Sequence, residues 1–302
     1  MKARLVWLLL CCIWGSTWLF IKLGLADLPP LTFAGIRFII ASTVLILLIR
    51  LRRVRFPTKR SDWLLLAISG LLSFSLNYGL LFWGEQYISS GLAAVLQSTI
   101  PAFGLVIAHY YLPGERLTGM KIFGVVMGVA GVSVIFSNQL EIAGPKALWG
   151  SAAVVLGAFC AAYANVLVKA HRRKLDPSVI ALGQMAFGLV PLLAIGIPLE
   201  GNPLHFHWTL RALVALFYLA LVGTVVAFIA YYWLVHHMDV TNTMLIALVT
   251  PVVAVILGML VLNERLMWRT LLGGAMIVSG IGLIVRRRRR RSEEDIELVP
   301  TA

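Results

Sequence analysis

The sequence predicts an all-α integral membrane protein, with ten transmembrane helices arranged as two inverted repeats of five. Three observations lead to this fold class: an apolar composition, apolar runs of membrane-spanning length, and a weak repeat between the two halves of the chain. Of the 302 residues, 60% are apolar and only 13% are charged, a balance outside the usual range of soluble domains. This composition therefore indicates a protein that is embedded in a lipid bilayer.

A transmembrane helix needs about 20 apolar residues to cross a hydrocarbon core of about 30 Å. Runs of about this length occur at 5–24, 31–50, 63–83, 89–111, 119–137, 147–168, 178–198, 211–234, 241–262 and 270–285. Strands of membrane barrels are shorter and alternate in polarity, so helices are predicted. The first run could also be read as a signal peptide, but the repeat favours its retention, since its removal would leave the sixth helix without a counterpart.

The two halves of the chain align in order, with small changes in register. A shift of 147 residues places Lys22, Pro30 and Arg37 over Lys169, Pro177 and Gln184, and shifts of 149 and 150 place Gly124, Gly131 and Pro101 over Gly273, Gly280 and Pro251. Because five is odd, a second five-helix unit enters the membrane from the opposite side. We predict a first repeat at 1–139, an inverted repeat at 140–285 and a disordered cytoplasmic tail, basic and then acidic, at 286–302. The aligned glycines are interpreted as points of close helix packing.

The distribution of charge agrees with the inversion. With the N-terminus inside, the inner loops and ends hold 20 Lys and Arg residues and the outer ones hold five, as the positive-inside rule requires. We therefore predict a location in the cell (inner) membrane with both termini cytoplasmic. The net charge of +13 is scattered over short loops without interleaved aromatic residues, so anionic inner-leaflet lipid is the predicted partner rather than nucleic acid.

Several stretches resemble a known family: WGSTWLFIK at 14–22, LPPLTFAGIRF at 28–38, YISSGLAAVLQSTIPAF at 87–103 and GERL at 114–117. In this order, and with partial repetition in the second half, they resemble the ten-helix EamA-type transporters of the drug/metabolite transporter superfamily. The resemblance implies an exporter of small metabolites, often amino acids or related compounds and sometimes toxic cations. It also implies a central pathway lined mainly by helices 1, 3, 4, 6, 8 and 9.

Polar and aromatic residues within these six helices are the candidate substrate-binding residues, because a helix that lines a path carries such residues on one face. They are Trp14, Ser16, Asn77, Gln97, Tyr163, Asn165, Thr224 and Tyr231, the last two chosen because helix 8 is the counterpart of helix 3. The alternative is that these groups only join helices through hydrogen bonds. Pro101 and Pro251, at matching positions of helices 4 and 9, are predicted to bend these helices, either beside a central site or simply for packing.

Arg37 is a permanent charge within the second apolar run. It lies about 9 Å inside the predicted outer start of helix 2, at 1.5 Å per residue, and Glu85 ends helix 3 on the same side. We predict that the two form an outer-side ion pair or gate contact. Direct binding of substrate by Arg37 is the second hypothesis, and snorkelling to the interface is the third.

The sequence favours a transporter over an enzyme. The predicted spans hold no Asp or Glu away from their ends, whereas acid–base chemistry needs a carboxylate or His at the reacting group. Neither a metal site nor a cofactor is predicted, and no oligomeric state is indicated. We expect a secondary exporter of amino acids or related compounds that works by alternating access. A multidrug or cationic-toxin exporter, a passive channel and a membrane-embedded lipid or glycosyl transferase are the alternatives, and proton coupling would use Glu85 or Asp27.

Overall fold

A computed structural model describes residues 2–113, 117–142, 144–171, 175–237, 246–265 and 267–297, and this part of the chain is built from helices without a β-strand. The helices are α1 (Lys2–Leu25), α2 (Pro30–Leu51), α3 (Arg60–Glu85), α4 (Ser90–Tyr111), α5 (Gly119–Ile142), α6 (Gly144–Ala170), α7 (Pro177–Glu200), α8 (Leu210–Phe217, Tyr218–Val226 and Ala227–His237 in succession), α9 (Ile246–Val261) and α10 (Trp268–Glu297). The predicted all-α architecture is confirmed.

Seven of these helices, α1 to α4 and α6 to α8, are long and apolar enough to cross a membrane. Within α5 and α9 lie shorter apolar stretches, Gly119–Ile135 and Val249–Val261. Most helix bounds follow the predicted apolar runs, because the polar breaks in the sequence are where these helices end. The last helix differs: α10 continues through residues 286–297, where the sequence predicted a disordered tail. The number of ten crossings and the inversion of the second half stay predictions.

Polar side chains begin several of the helices. Ser89, Asp176 and Thr209 each precede a helix in extended conformation and accept a hydrogen bond of 2.8–3.2 Å from a backbone N–H of its first turn. The first turn of a helix has N–H groups without intrahelical partners, and a side-chain oxygen satisfies one of them. These residues therefore fix where α4, α7 and α8 start.

Two of the membrane-length helices contain π-helical segments, Leu71–Leu76 in α3 and Tyr218–Val226 in α8. A π-helical turn holds an additional residue and is frequent at functional sites. It also changes the direction in which later side chains point. Neither segment is visible in the hydrophobic periodicity of the apolar runs.

The structure describes the helix on both sides of Pro101, but not the chain that precedes the helix of Pro251. The α-helical hydrogen bonding of α4 is interrupted between Ser90–Gln97 and Ile100–Tyr111, just before Pro101. Pro251 lies inside α9, but residues 238–245 before this helix lie outside the described part. A matched pair of bends therefore stays a prediction.

Glycines set the closest contacts between helices. A Cβ atom at Gly131 of α5 would lie 2.5 Å from the carbonyl oxygen of Gly273 in α10, and one at Gly280 would lie 2.6 Å from that of Gly124. Such approaches are possible only without a side chain. These are the four glycines that the repeat aligned, so their predicted role in helix packing is confirmed.

An aromatic cluster holds α2 against α3. Phe38 is fully buried, and its ring lies 5.0 Å from the rings of both Phe74 and Tyr78 in edge-to-face arrangements. Such aromatic pairs contribute about 0.5–1.5 kcal/mol beyond the burial of their area. This packing fixes the rotation of α2 and with it the direction of the neighbouring Arg37.

We expect Gly84→Ala to lower the midpoint of thermal unfolding of the detergent-purified protein. A Cβ at Gly84 would lie 2.5 Å from the carbonyl oxygen of Gly150 in α6, and such overpacking costs about 1–3 kcal/mol. Gly104→Ala is the matched control in α4, where nothing lies within 4 Å of an added Cβ. It should raise the midpoint slightly, since Ala is favoured over Gly in a helix by about 0.5–1 kcal/mol. Equal effects of the two substitutions would contradict the packing.

Candidate functional site

Two of the predicted site residues, Asn77 and Gln97, form one buried amide pair. Gln97 Nε2 donates to Asn77 Oδ1 at 2.8 Å, and both residues are buried. Helix α6 also borders the pair, since a Cβ at Gly157 of α6 would lie 3.0 Å from Asn77 Oδ1. The pair therefore lies where α3, α4 and α6 meet, with Asn77 directly after the π-helical segment of α3.

Ser16 of α1 contacts a tyrosine of α8 that the sequence analysis did not select. The Ser16 hydroxyl donates to the carbonyl oxygen of Ile13 at 2.9 Å and lies 2.6 Å from the hydroxyl of Tyr218. Since the single hydroxyl hydrogen of Ser16 is used, Tyr218 is the donor to Ser16. Phe20 stacks on Tyr218 with 3.8 Å between ring centroids. A hydroxyl-bearing aromatic residue inside an apolar run is the signal that could have found Tyr218.

Trp14 and Tyr231 form a second contact between α1 and α8. Their ring centroids are 5.5 Å apart, and Phe228 lies 6.5 Å from Trp14. We call these two contacts, Ser16 with Tyr218 and Trp14 with Tyr231, the α1–α8 seam. Three predicted residues, Trp14, Ser16 and Tyr231, therefore lie at the interface of α1 and α8, although Tyr231 is more than 200 positions from the other two in the chain.

The two predicted residues of α6 point to different surroundings. The hydroxyl of Tyr163 lies 2.8 Å from that of Tyr111 at the end of α4, so Tyr163 joins α6 to α4. Asn165 is exposed and lies with neither the amide pair nor the α1–α8 seam. A side chain two positions further along a helix is rotated by about 200°, which explains the difference.

Arg37 is almost completely buried, with an exposed fraction of 3%. Its Nη2 donates to Thr224 Oγ1 at 3.1 Å, and Thr224 in turn donates to the carbonyl oxygen of Leu219 at 2.8 Å. The Cζ atom lies 5.2 Å and 5.4 Å from the ring centroids of Tyr78 and Phe38. Nε and Nη1 have no hydrogen-bond partner.

The predicted ion pair between Arg37 and Glu85 is not formed in this structure. Glu85 is fully buried and neither of its carboxylate oxygens has a hydrogen-bond partner. The reason is distance along α3: the residue that faces Arg37 is Tyr78, and Glu85 lies seven positions further on, about 10 Å along the helix. The cation beside Glu85 is Lys22, whose Nζ donates to the carbonyl oxygens of Glu85 at 2.5 Å and of Ile88 at 2.6 Å.

Carboxylates from distant parts of the chain cap two helix starts. Glu264, after α9, accepts hydrogen bonds from the Ser90 N–H at 2.8 Å and the Ser90 hydroxyl at 3.0 Å. Glu200, at the end of α7, accepts from the N–H groups of Leu31 and Thr32, both at 2.8 Å. Negative charge at a helix start is favoured by the free N–H groups and the helix dipole. We call this end of the bundle, where α2, α4 and α8 begin, the capped end.

An ion pair joins the α1–α2 loop to α8 at the capped end. Asp27 binds Arg211 through two hydrogen bonds of 2.8 and 2.9 Å and accepts a third from Thr209 at 2.6 Å. The hydrogen bonds from Arg211, and then that from Thr209, hold the pKa of the Asp27 carboxyl below its ordinary value. Among the described residues, no group of three His, Cys, Asp or Glu side chains could hold a metal ion.

Comparison with known proteins decides the family of this helical bundle. Residues 1–137 and 148–286 match the sequence model of the EamA-like transporter family. The chain belongs to this family. It is therefore a multi-pass membrane protein of a transporter family, as the resemblance in the sequence had indicated.

Individual relatives of this EamA family member cover most of its length. The "Uncharacterized transporter YoaV" of Bacillus subtilis is 30% identical over 270 residues, which is 89% of this chain and 91% of that protein. The "Uncharacterized inner membrane transporter YedA" of Escherichia coli K12 is 31% identical over 82% of this chain and 78% of its own. A "Probable amino-acid metabolite efflux pump" of the same organism is 27% identical over 91% of each chain.

A solved crystal structure shares the fold of this chain. The two superpose with a TM-score of 0.65 over 96% of this chain and 98% of the other, at 20% sequence identity. At this identity, the likeness concerns the fold alone. It agrees with a bundle whose helices occupy the arrangement described above.

We expect Asp27→Asn to lower the unfolding midpoint at pH 7 by an amount that vanishes in acid. Because the folded-state pKa of Asp27 is depressed, the ion pair contributes its full stability above the ordinary carboxyl pKa of about 3.9 and loses it as the pH falls through the lower folded value. Thermal unfolding of the parent and variant between pH 7 and about pH 3 measures this. A difference that stays constant over this range would contradict the expectation.

We also expect Gly258→Ala to displace the Glu264 carboxylate from the start of α4. A Cβ at Gly258 would lie 2.3 Å from Glu264 Oε2, and loss of a helix cap costs about 0.5–2 kcal/mol. The unfolding midpoints of Gly258→Ala, Glu264→Gln and the double variant form a cycle, in which the double variant should lose little more than either single one. Gly119→Ala, with nothing within 4 Å of the added Cβ, is the control. Full additivity would contradict the cap.

Proposed function

We propose that this protein is a secondary transporter in the cell (inner) membrane that exports amino acids or related small metabolites by alternating access, without ATP and without chemical change of the substrate. The observation that carries the proposal is a set of polar groups within the membrane-length helices, the buried Asn77–Gln97 pair and the partly buried α1–α8 seam. Polar groups are costly in such helices and mark substrate pathways in membrane proteins. The name of the efflux-pump relative in Escherichia coli supports amino acids as the substrate class.

Ten crossings in two inverted repeats, 1–139 and 140–285, are part of the proposal. The packing of the helices supports it: α1 packs against α8 and α9, while α6 packs against α3 and α4. The proposed counterparts of α1, α8 and α9 are α6, α3 and α4, each five helices away in chain order. Replacing each helix by its counterpart converts the first set of contacts into the second. Inverted repeats place substrate sites at the interface between the two halves, and both polar sets lie at these contacts.

Alternating access requires one end of the bundle to close while the other opens. The first part of α4, Ser90–Gln97, packs against α9, α1 and α6, whereas the second part, Ile100–Tyr111, packs mainly against α6 and α5. The two proposed halves therefore contact each other closely at the capped end. With both termini cytoplasmic and anionic lipid at the inner surface, as the charge bias supports, the capped end is the outer one and is closed here.

A second candidate function is export of cationic compounds. The observation that favours it is the aromatic contact of Trp14 with Tyr231 and Phe228. Aromatic faces attract cations, by about 0.5–2 kcal/mol for each contact. The transport assay that tests the first candidate separates the two, since labelled amino acids and labelled organic cations can be supplied to the same vesicles.

We expect proteoliposomes of the purified protein to release labelled amino acids faster than empty liposomes, and Asn77→Ala or Gln97→Ala to slow the release about tenfold. The two amides share one hydrogen bond of 2.8 Å. Loss of Gln97 removes this donor from the buried Asn77 oxygen, and loss of Asn77 leaves Gln97 Nε2 only the long hydrogen bond of 3.5 Å to the carbonyl oxygen of Val154. Poor satisfaction of a buried polar group costs about 1–3 kcal/mol. For the same reason the double variant should be little slower than either single one.

Ser133→Ala is the control for this assay, because Ser133 is exposed on α5 and donates only to the carbonyl oxygen of Val129. It should transport like the parent. Release by the parent no faster than by empty liposomes, for every amino acid supplied, would contradict the amino-acid proposal. A chemically altered product in the medium would show an enzyme instead of a transporter.

A further inference from the structure

The surroundings of the buried Arg37 differ from those of Lys22, a partly buried cation of the described structure. Lys22 donates to carbonyl oxygens at the end of α3, so its charge meets the negative end of a helix. Arg37 donates one hydrogen bond, to a neutral hydroxyl, and its Nε and Nη1 donate to nothing. A guanidinium carries five N–H donors and stays protonated, so most of the hydrogen-bonding capacity of Arg37 is unused.

Such an arrangement is expensive for a folded protein. Burial of a charge without a charged partner or full hydrogen bonding costs several kcal/mol. With 3% exposure, the guanidinium does not reach water by snorkelling. Within the described residues no carboxylate contacts it, and the one carboxylate predicted to do so, Glu85, lies about two helical turns away along α3. Natural proteins keep such a cost mainly at functional sites.

One of the two π-helical segments contacts this guanidinium directly, and the other packs on the residue next to Arg37. Thr224 belongs to the segment of α8, and its hydroxyl donates to the carbonyl oxygen of Leu219 five residues before it. Its lone pairs are thereby left to accept from Arg37. Phe74 belongs to the segment of α3 and packs on Phe38, next to Arg37. Local π-helical turns occur frequently at functional sites, and here one contacts Arg37 while the other contacts its neighbour Phe38.

Arg37 is also close to the proposed pathway. Gly223, the residue before Thr224, faces α1 so closely that a Cβ there would lie 2.9 Å from Cγ2 of Thr17. Thr17 follows Ser16 of the α1–α8 seam. The guanidinium is therefore one side chain away from that seam, and Tyr78, half-buried under its charged plane, follows Asn77 of the amide pair.

We propose that Arg37 is a carboxylate-binding residue and that the transported compounds carry a carboxylate, which accepts hydrogen bonds from the free N–H groups of the guanidinium. This inference rests on the proposed transport function and adds the chemical group by which the substrate is recognised. The planar fork of Arg matches a carboxylate in two-point contact, as Arg211 and Asp27 of the same chain illustrate. The Thr224 hydroxyl holds the fork in position, and the rings of Tyr78 and Phe38 support it.

A binding experiment tests this without depending on transport. The purified full-length protein is heated with each of the standard amino acids, with their carboxamides, and with acetate or benzoate, all at saturating concentration. Ligands that bind the folded state raise the unfolding midpoint. We expect at least one carboxylate to raise it by about 2 °C or more, its uncharged amide to raise it much less, and Arg37→Gln to abolish the increase.

Two further variants separate binding from folding. Arg50→Gln lies on the same helix, but Arg50 is exposed, so this variant should respond to carboxylates like the parent. Arg37→Lys keeps the charge and loses the planar fork, so it should keep part of the response. In the flux assay Arg37→Gln should lower transport of the amino acid at limiting concentration by about tenfold, equivalent to about 1.4 kcal/mol.

Three results would overturn the proposal while leaving the transport function standing: no carboxylate stabilises the parent, Arg37→Gln responds like the parent, or acid and amide are bound and carried equally well. Failure of the proposed function gives a different pattern, with specific loss of carboxylate binding in Arg37→Gln but no flux of any probe. A variant that elutes as an aggregate is replaced by Arg37→Lys, and an unchanged carboxylate response combined with unchanged flux in that variant also overturns the role of the fork.

Discussion

Backbone groups at helix ends need hydrogen-bond partners, and at the capped end of this bundle distant charged side chains supply them. The turn between α3 and α4 is held from two sides: Lys22 of α1 binds carbonyl oxygens at the end of α3, and Glu264 binds N–H groups at the start of α4. Glu200 does the same for α2. Each contact joins segments more than 60 positions apart, so the relative positions of five helices depend on three side chains.

This constraint explains the charges of Lys22, Glu200 and Glu264 in an otherwise apolar protein. An acidic residue that caps a helix start, or a lysine that caps a helix end, is stabilised by the helix dipole and by several hydrogen bonds at once. Such charges are structural and sit at the ends of the apolar runs. Gly258 is part of the same arrangement, since any side chain there would occupy the space of the Glu264 carboxylate. Arg37 is different because it lies inside a helix, where all backbone groups already have partners.

Much of the fold followed from local features of the sequence. Apolar run lengths gave the helices, and the alignment of the halves selected the glycines at which α5 and α10 touch. Asn77 and Gln97 were chosen as polar residues on one face, and they do share a hydrogen bond. The pairing of Arg37 with Glu85 failed because the sequence gives only an approximate depth for each residue, and in the structure Arg37 faces Tyr78, about 10 Å along α3 from Glu85. Rotation of a helix about its axis is a second feature that local sequence does not provide. The two π-helical segments alter that rotation, and they leave no mark on the hydrophobic pattern. Tyr218 was not selected, although a hydroxyl-bearing aromatic residue inside an apolar run could have indicated it. Asn165 is exposed on α6 and lies with neither polar set, so its place in the pathway stays a prediction.

The counterpart of Arg37 in the proposed repeat is Gln184 of α7, and the two positions show what symmetry can and cannot provide. Gln184 is also buried, and its backbone packs so closely on α3 that a Cβ at Gly70 would lie 2.5 Å from its carbonyl oxygen. Both positions therefore lie where α2 and α7 pack against neighbouring helices, but only position 37 carries a charge. A symmetric scaffold can alternate between two equivalent states, while a small substrate with one carboxylate is itself asymmetric. In the proposed binding mode, a single arginine on one side of the axis would give the scaffold a matching asymmetry, because it would determine which end of such a substrate faces α2 and α8.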